Sequence, residues 1–159
     1  MRLLKPKYRI NKIEDFEITK ILEKNYKIII FDLNNTVIDY YTDIIPNDTK
    51  EYILKLIELG IKVYIVSNSF DNKMIKNVAS KLNINYINKA FKPLPFNIKK
   101  VLKKENIKNN NALVIGDHLV TDILVANLCK LDSALVLPLN NNEKFHSRIV
   151  RKIENLLLK

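Results

Sequence analysis

The stretch Tyr26-Lys-Ile-Ile-Ile-Phe-Asp-Leu-Asn-Asn-Thr-Val-Ile-Asp-Tyr40 decides the fold. Its apolar run, Ile28–Phe31, reads as a strand buried on both faces, the pattern of a parallel sheet. Asp32, Asn34, Asn35 and Thr36 follow directly. A carboxylate at the carboxyl end of such a strand stands where open α/β sheets bind ligands, although an acid there also suits a plain Asx-turn.

Outward from this strand, further apolar runs read as strands at about 61–66, 84–87, 112–115 and 134–137. Helical spacing recurs between and after them, at about 48–59, 72–82, 95–105, 119–128 and 143–158. A short helix, Thr19–Lys24, leads into the first strand, and residues 1–12 form a basic lead-in without clear periodicity. The alternation predicts one domain spanning 1–159, an α/β fold built on a doubly wound parallel sheet of about five strands with helices on both faces. Pro46 and Asn47-Asp48 mark one helix start, and Gly60 marks its end.

Composition narrows the class. At 159 residues and 47% hydrophobic, the chain can bury a real core, and no apolar run approaches the ~20 residues of a membrane span. Met1–Arg9 has no apolar leader region, and the single cysteine, Cys129, reads as an inert core thiol, so a cytoplasmic location is expected. The net charge of +10 suits anionic partners: nucleic acid, phosphorylated substrates or an anionic membrane face. A chain rich in Lys, Asn and Ile and lacking Trp acquires much of that surplus from composition alone. For nucleic acid, charge is the sole support.

The other strand ends carry chemistry too. Ser67-Asn68-Ser69 offers a hydroxyl and an amide that suit a phosphate, or equally a helix cap. Lys92-Pro93 follows the third strand, where Pro93 suits a first helical turn and sets Lys92 just before a helix N-terminus. Gly116-Asp117-His118-Leu119-Val120-Thr121-Asp122 follows the fourth. Asp117 and Asp122 near Asp32 would repel it unless a cation sat among them, and Mg²⁺ suits oxygen ligands of this kind.

Asp32-Leu-Asn-Asn-Thr36, Ser67, Lys92 and Gly116-Asp117…Asp122 resemble, in order, the four motifs of the haloacid dehalogenase (HAD) phosphotransferases. Together with Lys89-Ala90-x-Lys92-Pro93 and Leu135-Val-Leu-Pro138, they are similar to the YqeG family of HAD IIIA-type phosphatases, relatives of phosphatidylglycerophosphate phosphatases. The resemblance implies a Rossmann-like HAD core. It also implies that Asp32 is the nucleophile and that Mg²⁺ is held by Asp32, the Asn34 backbone carbonyl, Asp117 and Asp122. Ser67 and Lys92 would then bind phosphoryl oxygens, with Asn35, Thr36 and Asn68 lining the substrate.

One residue departs from the pattern. Asn34 stands where the family has the Asp that protonates the leaving oxygen and later activates water. General acid–base help is worth ~10²–10⁴-fold, and an amide supplies none. Asp39 and His118 are the alternative acids nearby, read as a loop carboxylate and a surface loop histidine.

Only 35 residues separate Asp32 from Ser67, and 25 separate Ser67 from Lys92, so core elements leave no room for a lid domain. An uncapped site favours a phosphate carried on a lipid or a macromolecule. In the last helix Phe145, Ile149, Ile153 and Leu156 recur at helical spacing beside Lys144, Arg148, Arg151 and Lys152, a stripe that suits packing on the sheet or attachment to anionic lipid. Two readings follow: a Mg²⁺-dependent phosphatase working through an aspartyl phosphate, phosphatidylglycerophosphate being the most specific substrate, or a catalytically impaired binding protein acting through a protein or RNA partner. A polynucleotide-end phosphatase is a third, resting on charge.

Overall fold

The computed structural model describes residues 2–40 and 42–140. Six parallel strands form one sheet: β1 (Tyr8–Ile10), β2 (Ile28–Phe31), β3 (Lys62–Val66), β4 (Asn85–Ile87), β5 (Ala112–Gly116) and β6 (Asp132–Val136). Their order across the sheet is β1-β6-β5-β2-β3-β4. After the edge strand β1 the chain crosses to the middle at β2, winds out to β4, then returns to β5 on the other side of β2 and on to β6 beside β1. The crevice at β2 is where the winding reverses, the usual binding place in such sheets.

β2 is buried at all four positions because it is flanked on both sides, Phe31 pairing with Ile65 of β3 and with Ile115 of β5. Alternate residues point to opposite faces. Ile29 and Phe31 join Val63, Ile65, Leu113 and Ile115 on one face, beneath α2 (Asn47–Glu58) and α3 (Asn72–Leu82). Ile28 and Ile30 join Tyr64, Val66, Ala112 and Val114 on the other, beneath α4 (Phe96–Glu105) and α5 (Leu124–Leu128). The short helix preceding β2 is α1 (Ile18–Glu23), and its Ile21 is buried in the first of these cores.

Three details differ from the reading of the sequence. The lead-in contains a sixth strand, β1, which pairs with β6 through Tyr8–Ala134 to Ile10–Val136. Its three residues are at most half-buried, too few to show a hydrophobic period. It is anchored at its start: the buried Tyr26 hydroxyl donates to Asp132, and Lys7 Nζ lies 2.7 Å from the same carboxylate. Pro93 does not open α4; the Lys92-Pro93 bond is cis, within a turn, and the helix begins at Phe96. The segment read as a helix over 119–128 begins instead with a wide π-type turn, Leu119–Ile123, before α5. The helix expected at 143–158 lies outside the described residues. Among the described residues, no helix is long and apolar enough to cross a membrane.

Candidate active site

The carboxyl ends of β2, β3 and β5 deliver Asp32, Ser67 and Asp117 to one edge of the sheet. The loop after β4 brings Lys92, and the turn after β5 brings Asp122. Asp32, Asp117 and Asp122 each offer a ligand oxygen within 4.8 Å of the others. Lys92 lies between two of them: its Nζ is 2.7 Å from Asp32 Oδ1 and 2.6 Å from Asp122 Oδ1, with the side chain only 4% exposed.

Electrostatics follow from this crowding. Burial pushes the Asp32 carboxyl up to about 7; Lys92 opposes that rise, and Asp122 and Asp117 add to it. Burial works against the Lys92 charge, yet the carboxylates of Asp122 and Asp32 outweigh it and hold the ammonium firmly protonated. With all three acids ionised, one lysine leaves a formal surplus of two negative charges. A dianionic cluster of carboxylate oxygens suits a hard divalent cation.

The supporting contacts show what each motif residue does. Asp122 is 0% exposed, and besides Lys92 it accepts the His118 backbone N–H at 3.1 Å through Oδ2. Both its oxygens therefore serve the protein, and it holds Lys92 as well as facing the acidic cluster. Gly116 makes room for it: a Cβ there would lie 2.3 Å from Asp122 Oδ2. The glycine is required by that close approach, and its backbone does not need a left-handed conformation.

Asn68, expected against substrate, spends its amide on Lys92: Lys92 N–H donates to Asn68 Oδ1 at 2.7 Å, and Asn68 Nδ2 donates to the Lys92 carbonyl at 2.9 Å. Ser67 is buried, and its Oγ accepts the Ser69 N–H at 3.1 Å, leaving the hydroxyl proton to give. Thr36 is also buried and donates to Asp117 Oδ1 at a long 3.4 Å.

Asn34 and Asn35 sit in a tight turn in which Leu33 O accepts both Val37 and Ile38 N–H groups. Asn35 takes a left-handed φ of 61°, which asparagine tolerates better than most residues. The Asn34 Oδ1 and both polar atoms of the Asn35 amide are buried without a hydrogen-bond partner among the described residues. Such groups are costly unless something else satisfies them. Beside the acidic cluster, a bound ligand or its waters would do so.

The other candidate acids are less well placed. His118, read as a surface histidine, is half-buried, its Nε2 3.7 Å from Asp117 Oδ2. Asp39 accepts from Asn140 Nδ2 at 2.8 Å across a loop contact. Cys129 is buried, and burial pushes its thiol up, as an inert core residue requires.

The motif of acids and one buried lysine at the strand ends has matching relatives. The sequence model of the haloacid dehalogenase-like hydrolases fits residues 42–129, which include Ser67, Lys92, Asp117 and Asp122. The chain is also 35% identical over 148 residues to the probable phosphatase YqeG of Bacillus subtilis, covering 90% of this chain and 84% of that protein. The chain belongs to the haloacid dehalogenase-like hydrolases. Solved HAD structures share its fold. The cobalt-bound deoxy-D-mannose-octulosonate 8-phosphate phosphatase of Haemophilus influenzae superposes with a TM-score of 0.57 at 15% identity, covering 80% of this chain and 75% of that one. The 3-deoxy-D-manno-octulosonate 8-phosphate phosphatase of Moraxella catarrhalis, determined with magnesium and phosphate, superposes at 0.51 with 19% identity, covering 65% of each chain.

Proposed function

We propose that this HAD hydrolase is a Mg²⁺-dependent phosphatase that uses Asp32 as nucleophile on a lipid-borne or macromolecular phosphomonoester. The observation that carries the reading is the buried Lys92 bridging Asp32 and Asp122, with Asp117 alongside. Lys92 holds one oxygen of Asp32 and leaves the other for attack. A nucleophile fixed this way meets the phosphoryl group in line, and the lysine then screens charge on the phosphoryl oxygens.

Magnesium, held by Asp32, Asp117, the Asn34 carbonyl and the nearby Asp122, would neutralise substrate charge and orient the phosphate. In the first displacement an Asp32 oxygen bonds to phosphorus as the bond to the leaving oxygen breaks. In the second, water attacks phosphorus, the bond to Asp32 breaks, and inorganic phosphate leaves. Ser67 has a free proton to give a phosphoryl oxygen. Asn68 fixes the backbone that carries Lys92.

Asn34 cannot give the leaving oxygen a proton, so water must, and leaving groups that depart readily as anions are favoured. Phosphatidylglycerophosphate is the most specific candidate, supported by likeness to the YqeG family and by short connections that provide no lid among the described residues. Its alkoxide leaving group is the kind that the missing acid slows most, so its turnover by this chain should be slow. The test is phosphate release from that lipid in mixed micelles and from p-nitrophenyl phosphate, with and without magnesium. Asn34 also supports a second reading, a phosphate- and metal-binding protein without turnover. Metal-dependent binding of vanadate or phosphate with no release from either substrate would favour it.

A further inference from the structure

Beside the site the protein exposes an apolar rim. Phe70 is 70% exposed, Phe91 57%, Leu94 52% and Phe96 71%. All four belong to the loops that carry Ser67 and Lys92 or to the first residue of α4. Phe91 is the immediate neighbour of Lys92, and Phe70 follows Ser67 by three residues. A hydrolase that needed only a soluble substrate would gain nothing from three bare phenyl rings there, and clustered exposed apolar groups mark contact surfaces.

The rim is built rigidly. Lys89 N–H donates to Ser69 O at 3.1 Å and Ala90 N–H to Ser67 O at 2.9 Å, lacing the two loops together. Asn97 Nδ2 donates to Ala90 O at 3.0 Å and ties in the start of α4. Phe70 and Phe91 meet edge to face with centroids 6.4 Å apart, and Lys89 Nζ stands 5.4 Å over the Phe70 ring. Lys89 and Phe91 both hold left-handed backbone conformations, φ 47° and 52°, a cost that only the surrounding bonds sustain.

Charge selects the partner. Residues 67–100 contain seven lysines and a single acid, Asp71. Of these, Lys73, Lys76, Lys89, Lys99 and Lys100 are exposed. Exposed phenyl and leucyl groups within so lysine-rich a segment, with Lys89 over the Phe70 ring, fit the boundary between acyl chains and anionic headgroups, where apolar tips enter and ammonium groups stay at the phosphates. Leu94 has no ring face, and the two paired phenyl rings already engage each other, so the surface suits a fluid acyl layer better than stacked bases.

We infer that Phe70, Phe91, Leu94 and Phe96 dock this face onto an anionic lipid bilayer, presenting the Asp32–Lys92 crevice to headgroup phosphates. The inference rests on the phosphatase reading for its purpose but is measured without turnover. The test is flotation of the full chain with phosphatidylcholine vesicles containing none or roughly a third phosphatidylglycerol. Three proteins are compared: the natural chain, Phe70→Ser/Phe91→Ser/Phe96→Ser, and Asp32→Asn, with circular dichroism to establish that each is folded.

The natural chain and Asp32→Asn should float with the anionic vesicles alone, and the triple variant should lose about tenfold or more of its bound fraction. Binding by Asp32→Asn and the natural chain with no phosphate release from any substrate would leave docking standing and fell the catalytic reading. Failure of the natural chain to float, or equal flotation of the folded triple variant, overturns the docking inference. So does a result in which the three phenylalanines instead govern self-association or binding of a single-stranded RNA.

Discussion

Replacing Lys92 with methionine is the perturbation whose consequence follows most directly from the geometry. The side chain keeps its length but loses the ammonium that lies 2.7 Å from Asp32 and 2.6 Å from Asp122. Removing one partner of a buried ion pair leaves an uncompensated charge and costs about 3–5 kcal/mol. For a domain of this size that corresponds to a melting temperature lower by roughly 6–20 °C. The loss should depend on pH in a defined direction. Asp32 already has its carboxyl raised to about 7, and removing Lys92 deletes the main influence holding it down. In the variant the carboxyl rises further, so a proton on Asp32 relieves the chain as pH falls, and the deficit should be larger at pH 8 than at pH 5.5. Saturating magnesium should recover part of it by supplying positive charge at the same place. Thermal melts of both proteins at the two pH values, with and without the metal, measure all three effects. A Lys92→Met chain melting within about 2 °C of the natural one at pH 8 would refute the claim that this lysine holds the acidic cluster together.

Gly116→Ala should place a methyl group against Asp122 Oδ2, which a Cβ would approach to 2.3 Å, and so push the carboxylate off both Lys92 and the His118 N–H. The expected cost is about 1–3 kcal/mol with loss of metal affinity, read by denaturant titration and calorimetry. Magnesium uptake should weaken as pH falls below about 7, because the metal competes with the proton on Asp32, and calorimetry in two buffers should show proton release growing as pH drops. The same raised carboxyl makes a signed contribution to the metal-free fold. Its contribution to stability is fully present below the ordinary carboxylate value of 3.8 and is lost as pH rises through about 7. Tyr52→Phe removes the buried 2.6 Å hydrogen bond to the Phe16 carbonyl and should cost about 1–3 kcal/mol in a denaturant titration.

The parts of the site legible in the sequence were those that strand ends announce. Buried parallel strands are continuous apolar runs, so Ile28–Phe31, the stretch from Val63 to Val66, and Ala112–Gly116 stand out, and polar residues just beyond them must face the sheet edge. What sequence could not show was how those residues divide the work. The spacing of Asp117 and Asp122 gave no sign that Asp122 has Lys92 and a backbone N–H on its two oxygens. Nor did it show that Asn68 braces the Lys92 backbone, or that Gly116 exists to clear a carboxylate. These are long-range contacts, set by which strands become neighbours. β1 is silent in the sequence for a different reason: three half-exposed edge residues carry no periodicity, and their pairing with β6 spans most of the chain. Phe70, Phe91 and Phe96 carry the opposite lesson, since apolar residues beside a strand end suggest core until their exposure is known.

The measurement that bears most directly on the central claim is magnesium-dependent phosphate release from p-nitrophenyl phosphate by the natural chain, Asp32→Asn and Asn34→Asp. An aryl leaving group needs little protonation, so the natural chain should turn over despite Asn34. Asp32→Asn should abolish release, and Asn34→Asp should raise it, by up to ~10²–10⁴-fold on alkyl phosphates where the acid matters most. Release that persists undiminished in Asp32→Asn, or that never requires magnesium, would contradict a mechanism built on this carboxylate.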